Sequence, residues 1–148
     1  MRISVISATS VIAQECIRSW AQQSQSEFVL IGRDSVKLEK LVRKLEAEFP
    51  NSRFQKIVGD IKNSKFIGQA SSQLFQGKLD LALIAQGSLT SQPKASSNLS
   101  FLESELELNA ISPALWAEAM AAGFAKQGFG KLAVIGSVAG DRGRAYNY

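Results

Sequence analysis

Ser137 follows an apolar run at residues 131–136 and brings a hydroxyl to the point where a strand would end. A hydroxyl there can donate to, or accept from, an oxygen of a bound molecule. Two more hydroxyls, Thr9 and Ser10, follow an early apolar run at residues 2–6 and could donate hydrogen bonds to a phosphate. The N–H groups that open a helix would meet the same anion. Arg33 stands just past a second apolar run. Its guanidinium fork suits a phosphate and would not bond two ribose hydroxyls. Asp60 offers a carboxylate after a third run, and Asn109 places an amide inside a long, mostly apolar helical pattern. A buried amide in such a helix needs a partner. Together these types describe a site that holds a phosphorylated ligand beside one hydroxyl.

The sequence has no histidine, which removes Ser-His-Asp hydrolysis, histidine general bases and most zinc sites. Cys16 is the single cysteine, so no internal disulfide forms; it lies on the apolar face of the first helix and reads as core filler.

The elements that must carry these residues alternate in type. Short apolar or β-branched runs at residues 2–6, 27–31, 53–58, 79–85 and 131–136 read as strands. Helical patterns at residues 10–23, 63–75 and 102–127 lie between them, with a Ser-, Gln- and Pro-rich loop at 87–100. A further helix is capped by Asp34 and ends at Pro50 and Asn51; Val36, Leu38, Leu41, Val42 and Leu45 fall largely on one of its faces. Ser10 and Asp60 are themselves plausible helix caps. Five strands separated by helices indicate an α/β fold: a Rossmann-like, doubly wound parallel sheet in a three-layer αβα sandwich. Such sheets bind ligands at the carboxyl ends of their strands, so the segments after each strand are where chemistry belongs.

At 148 residues and 45% hydrophobic, the chain reads as one domain, 1–148, with a real core. No apolar run is long enough to span a bilayer, and the N-terminal run is too short for a signal peptide. A cytoplasmic protein without a membrane partner is expected. The net charge of +4 does not point to nucleic acid, because Lys37, Lys40, Arg43 and Lys44 alternate with Glu39, Glu46 and Glu48 along one helix. Mixed signs at that spacing mark a solvated, ion-paired face.

Taken in order, these segments resemble the short-chain dehydrogenase/reductase family over the whole chain. Ser7, Val11 and Ala13 occupy the three glycine positions of the family's Thr-Gly-x-x-x-Gly-x-Gly turn. The resemblance therefore implies that Ser7, Thr9, Ser10, Val11 and Ile12 hold the cofactor pyrophosphate. Val11 is the real departure, a branched side chain where backbone would approach phosphate. Arg33 takes the place of the usual carboxylate, which favours NADP(H) over NAD(H). Asp60 stands where the family contacts the adenine amino group, with Ile61 packing nearby. Ala85, Gln86 and Gly87 stand within the family's Asn-Asn-Ala-Gly segment, with Gly87 close to the nicotinamide ribose.

Asn109 matches the asparagine whose backbone carbonyl binds a relay water, and Ser137 matches the catalytic serine. In the family a tyrosine follows that serine by about a dozen residues, and a lysine lies four beyond it. Tyr148 falls one or two residues short of the tyrosine position, and the sequence holds no such lysine. The resemblance thus implies an incomplete NAD(P)-binding domain whose C-terminal strands are missing and which turns over little or nothing alone. The whole enzyme would pass a hydride between NADP(H) and a small carbonyl or alcohol substrate, as a homo-oligomer. The alternative is a non-catalytic nucleotide-binding or interaction module of the same origin.

Overall fold

Side chains along the central strands alternate between two apolar layers, as a strand covered on both faces requires. Ile3, Val5, Phe28 and Leu30 enter one core with Ile17, Leu38 and Leu45. Ile6, Val29, Ile31 and Ile84 enter the other with Leu74, Trp116 and Met120. A computed structural model describes residues 1–142. Within them β1 (Arg2–Ile6), β2 (Glu27–Gly32), β3 (Arg53–Val58), β4 (Leu81–Ile84) and β5 (Lys131–Val134) form one sheet in the order β3-β2-β1-β4-β5. Every pairing is parallel. The strand order reverses between β1 and β4, so the doubly wound expectation holds, with the switch at the centre of the sheet.

Helices α1 (Val11–Gln23) and α2 (Ser35–Glu48) cover the first core, and α3 (Ser64–Leu74) and α6 (Ser112–Gln127) the second. Leu38, Leu41, Val42 and Leu45 bury the inner stripe of α2 as expected. Val36 does not join them; it is 61% exposed, because at 3.6 residues per turn it falls on the opposite side of α2 from Leu38 and Leu45. Cys16 is half-buried against the first core. The charged face of α2 is ion-paired through Arg43–Glu39, Lys44–Glu48 and Lys56–Glu39.

Several boundaries differ from the sequence reading. The fourth and fifth strands are shorter than 79–85 and 131–136, although Ala85 N–H still donates to Ile6 C=O and Ile135 N–H to Ile84 C=O. The segment 87–100 is not simply a loop: it holds a short helix, α4 (Gln92–Ser97), with Pro93 in its first turn. The pattern at 102–127 begins earlier, as α5 (Leu99–Leu106), and is interrupted by a π-helical turn, Glu107–Ile111, before α6. Periodicity alone does not reveal a π turn, since one inserted residue hardly changes the apolar pattern. Gly128 ends α6 in the left-handed region at φ 85°, where glycine carries no side-chain penalty.

Candidate functional site

Register decides where the chemistry-bearing residues stand. Ile6 pairs with Ile31 and Ile84, Ile31 with Ile57, and Ile84 with Val134. The residues that follow, Ser7, Arg33, Asp60, Gln86 and Ser137, therefore share the carboxyl edge of one sheet. Ala8 N–H donating to Ile31 C=O and Gly59 N–H to Gly32 C=O extend the ladder onto that rim.

After β1 the chain turns through Ser7 at φ 61°, the one non-glycine residue in the left-handed region among the described residues. This conformation explains why the position reads as glycine in the family pattern. Ser10 caps α1, its hydroxyl accepting from Ala13 N–H at 3.3 Å. Of the first-turn N–H groups of α1, only Ala13's meets the cap, so those of Val11 and Ile12 stay available to an anion. Val11 is 76% exposed at that helix start. Thr9 is tied back through its carbonyl, which accepts from Gln14 Nε2.

Arg33 is exposed on the rim after β2 and has no hydrogen bond or ion pair among the described residues. Asp34 caps α2 by accepting from Lys37 N–H, the main reason its carboxyl lies below the ordinary range. A cation without a partner among the described residues, an open helix start and a left-handed turn stand together on one rim, where phosphate groups could be held.

Asp60 is not the cap of α3. Asn63 fills that role, accepting from Phe66 N–H, while Asp60 Oδ1 accepts from Lys62 N–H and leaves the carboxylate exposed on the rim. The side chain of Ile61 is buried in the second core. Its carbonyl accepts from Ser112 Oγ at 2.7 Å and Trp116 Nε1 at 2.9 Å. Gln86, also buried, donates from Nε2 to Ser112 Oγ. This relay ties the ends of β3 and β4 to the start of α6. Gln86 Oε1 has no hydrogen-bond partner among the described residues. Ala85 packs into the first core, and Gly87 is exposed with Asn109 Oδ1 at 3.4 Å from where its Cβ would be.

Asn109 corrects the sequence reading: it is exposed, not buried. The π turn carries it to the surface against the segment after β4, so its amide is satisfied by polar groups there and not inside a core. Its Oδ1 accepts from Ser88 N–H at 2.7 Å, and its Nδ2 donates to Ser88 Oγ and Thr90 Oγ1 at 3.3 Å each. Glu105 completes this network, with Oε2 accepting from Ser88 Oγ at 2.6 Å and Thr90 Oγ1 at 2.8 Å. Those two hydroxyl bonds hold the Glu105 carboxyl below the usual range. Lys62 pairs with Glu107, which anchors the same π turn to the segment after β3. Sequence reading missed Glu105, Ser88, Thr90 and Ser112. The one available signal was the four-residue spacing of Glu105 and Asn109, which puts them on one helix face.

Ser137 is exposed after β5 and its hydroxyl accepts from Ala139 N–H, opening a 3₁₀ turn, Val138–Gly140. A cleft of about 480 Å³ lies between Ser137 and the Glu105 network, with Leu102, Leu106 and Ala139 among its apolar walls. A larger cleft of about 730 Å³ between α3 and α6 includes Lys78 and Gln127, which precede β4 and β5. It therefore sits at the opposite edge of the sheet, away from every rim residue. Tyr148 lies outside the described residues.

The short chain dehydrogenase family model matches residues 2–147. No curated protein matches the chain. Solved structures share the fold at low identity. A short-chain type dehydrogenase/reductase from Mycobacterium ulcerans aligns at TM-score 0.87 with 18% identity, over 98% of this chain and 54% of that one. A bulky-bulky ketone specific alcohol dehydrogenase from Comamonas testosteroni aligns at 0.82 with 24% identity, over 97% and 57%. Serine dehydrogenase from Escherichia coli aligns at 0.81 with 20% identity, over 99% and 66%. The chain thus spans a little over half to about two thirds of the length of these three proteins.

Proposed function

Because the chain belongs to the short-chain dehydrogenase/reductase family, we propose that it forms the cofactor-binding part of an oxidoreductase that uses NADP(H) in preference to NAD(H). The observation that carries the preference is Arg33, a cation on the rim after β2 without a partner among the described residues. A guanidinium fork pairs well with a 2′-phosphate and poorly with two ribose hydroxyls. In this reading Ser7, Thr9, Ser10, Val11 and Ile12 hold the pyrophosphate at the start of α1, and Asp60 and Ile61 border the adenine. Ala85, Gln86 and Gly87 flank the nicotinamide ribose.

The bound nicotinamide would supply hydride chemistry at a carbonyl or alcohol carbon. Ser137 would hold the substrate oxygen in the cleft beside it, and Asn109 would fix the relay side of that cleft. The sequence holds no Tyr-x-x-x-Lys pair. A tyrosine without a nearby cation keeps a pKa near 10 and exchanges protons poorly at neutral pH. Binding, rather than turnover, is accordingly what the 148-residue chain is expected to do. A cytoplasmic setting and a homo-oligomeric whole protein belong to the same proposal; the exposed apolar residues Val134 at the end of β5, Ile135 and Val138 support the second.

Calorimetric titration with NADPH and NADH tests this reading. The unaltered chain should bind NADPH more tightly, and Arg33→Gln should weaken NADPH about tenfold while leaving NADH unchanged. Equal affinities of the unaltered chain for the two would remove the preference.

A further inference from the structure

We propose that Glu105 is a positioning residue for the nicotinamide end of the site, a role that rests on the cofactor reading above. Its Oε2 gathers three donors: Ser88 Oγ at 2.6 Å, Thr90 Oγ1 at 2.8 Å and Asn109 Nδ2 at 3.5 Å. Ser88 N–H closes the ring on Asn109 Oδ1 at 2.7 Å. One carboxylate thereby fastens the segment after β4 to the π turn, across fifteen to seventeen residues of sequence. Hydrogen bonds to an ionised acceptor are shorter and stronger than neutral ones, and these hydroxyl bonds favour the ionised form. Among the described residues, Glu105 is also the one charged side chain lining the cleft that reaches Ser137. No local backbone bond does the same work: in Gly87–Thr90, Ser88 N–H goes to Asn109 and both hydroxyls go to Glu105.

The strand order sets which end of a dinucleotide would sense this clamp. β2 and β3, which carry Arg33 and Asp60, lie on one side of the switch point; β4 and β5, which carry Gly87 and Ser137, lie on the other. The adenosine half belongs to the first side and the nicotinamide half to the second. Loosening residues 87–90 would therefore weaken the hold on the nicotinamide half and leave the adenosine half alone.

The experiment titrates the 148-residue chain with NADPH and with 2′,5′-ADP, which has no nicotinamide half. Glu105→Leu should weaken NADPH about tenfold and change 2′,5′-ADP by less than about twofold. Glu105→Gln, whose amide oxygen can still accept from Ser88 and Thr90, should recover most of the NADPH affinity. Ser88→Ala, which removes one donor and keeps the carboxylate, should fall between. Equal weakening of both ligands by Glu105→Leu would reduce Glu105 to a general structural role and overturn the proposal, as would no weakening of NADPH. If the unaltered chain bound neither ligand, the cofactor reading itself would fail and take this inference with it. Binding of both by the unaltered chain, with no contrast between them in the variants, would sink the clamp alone.

Discussion

The turns after β1 and after β4 lie next to each other on the same rim, yet they are built by different means. Apart from the ladder bond of Ala8 N–H to Ile31 C=O, the β1 turn is local: Ser7 adopts φ 61°, Ser10 N–H donates to Ser7 C=O, and the Ser10 hydroxyl meets Ala13 N–H three residues on. The β4 turn is built from distant partners. Gln86 reaches Ser112 across 26 residues, Ser88 reaches Asn109 across 21, and Ser112 reaches Ile61 across 51. The first turn depends on backbone conformation and one cap, and the second on side-chain polar bonds in and beside the core. A backbone-defined turn tolerates substitution of its exposed side chains. A turn defined by buried polar bonds does not, because every orphaned partner keeps its desolvation cost.

The largest expected effect lies at the β4 turn. Ser112→Val removes the hydroxyl shared by Gln86 Nε2 and the Ile61 carbonyl, in a region where Gln86 Oε1 already lacks a partner among the described residues. The cost should be about 2–3 kcal/mol in urea unfolding. Adding Gln86→Leu should return at least half of it, since replacing both partners with apolar groups leaves nothing unsatisfied. If Ser112→Val cost no more than loss of the Ser10 cap, the contrast between the turns would collapse.

The same contrast explains what could be read from the chain beforehand. The five strands, the layers and the rim positions of Ser7, Arg33, Asp60, Gly87 and Ser137 follow from apolar runs and helical patterns, which are local. The cap roles of Ser10 and Asp34 are local too, and both hold. Asp60 lost its proposed cap to Asn63 because two polar residues three apart compete for one helix start, and spacing does not choose between them. The helical pattern puts Asn109 mid-helix, and the structure turns its amide to the surface. An exposed amide facing Ser88 and Glu105 requires knowing that a π turn intervenes and that residues 88–90 fold back on it. Those are tertiary facts with no periodic trace.

A middle-sized effect should appear at the cap of α1. Ser10→Ala removes the acceptor for Ala13 N–H and should cost about 1 kcal/mol, read from the urea midpoint. Ser10→Asp should keep the stability, because a carboxylate also caps and suits the positive end of the helix. It should nevertheless weaken NADPH, since the new charge stands where the pyrophosphate is proposed to bind. A stable Ser10→Asp variant with undiminished NADPH affinity would detach this helix start from the cofactor.

The smallest effect should come from Ser7→Gly, and its sign carries the information. Holding a non-glycine residue in the left-handed region costs roughly 1–2 kcal/mol, and relieving it favours the variant. Glycine gives back roughly 0.5–1 kcal/mol through the greater freedom of the unfolded chain. The net should be a gain of about half a kcal/mol in urea unfolding. Ser7→Ala keeps the conformation and its strain, so it should move stability by less than the glycine variant. A loss with both variants would mean that the Ser7 hydroxyl, rather than the turn's backbone geometry, holds this part of the rim, and the β1 turn would then resemble its neighbour after β4.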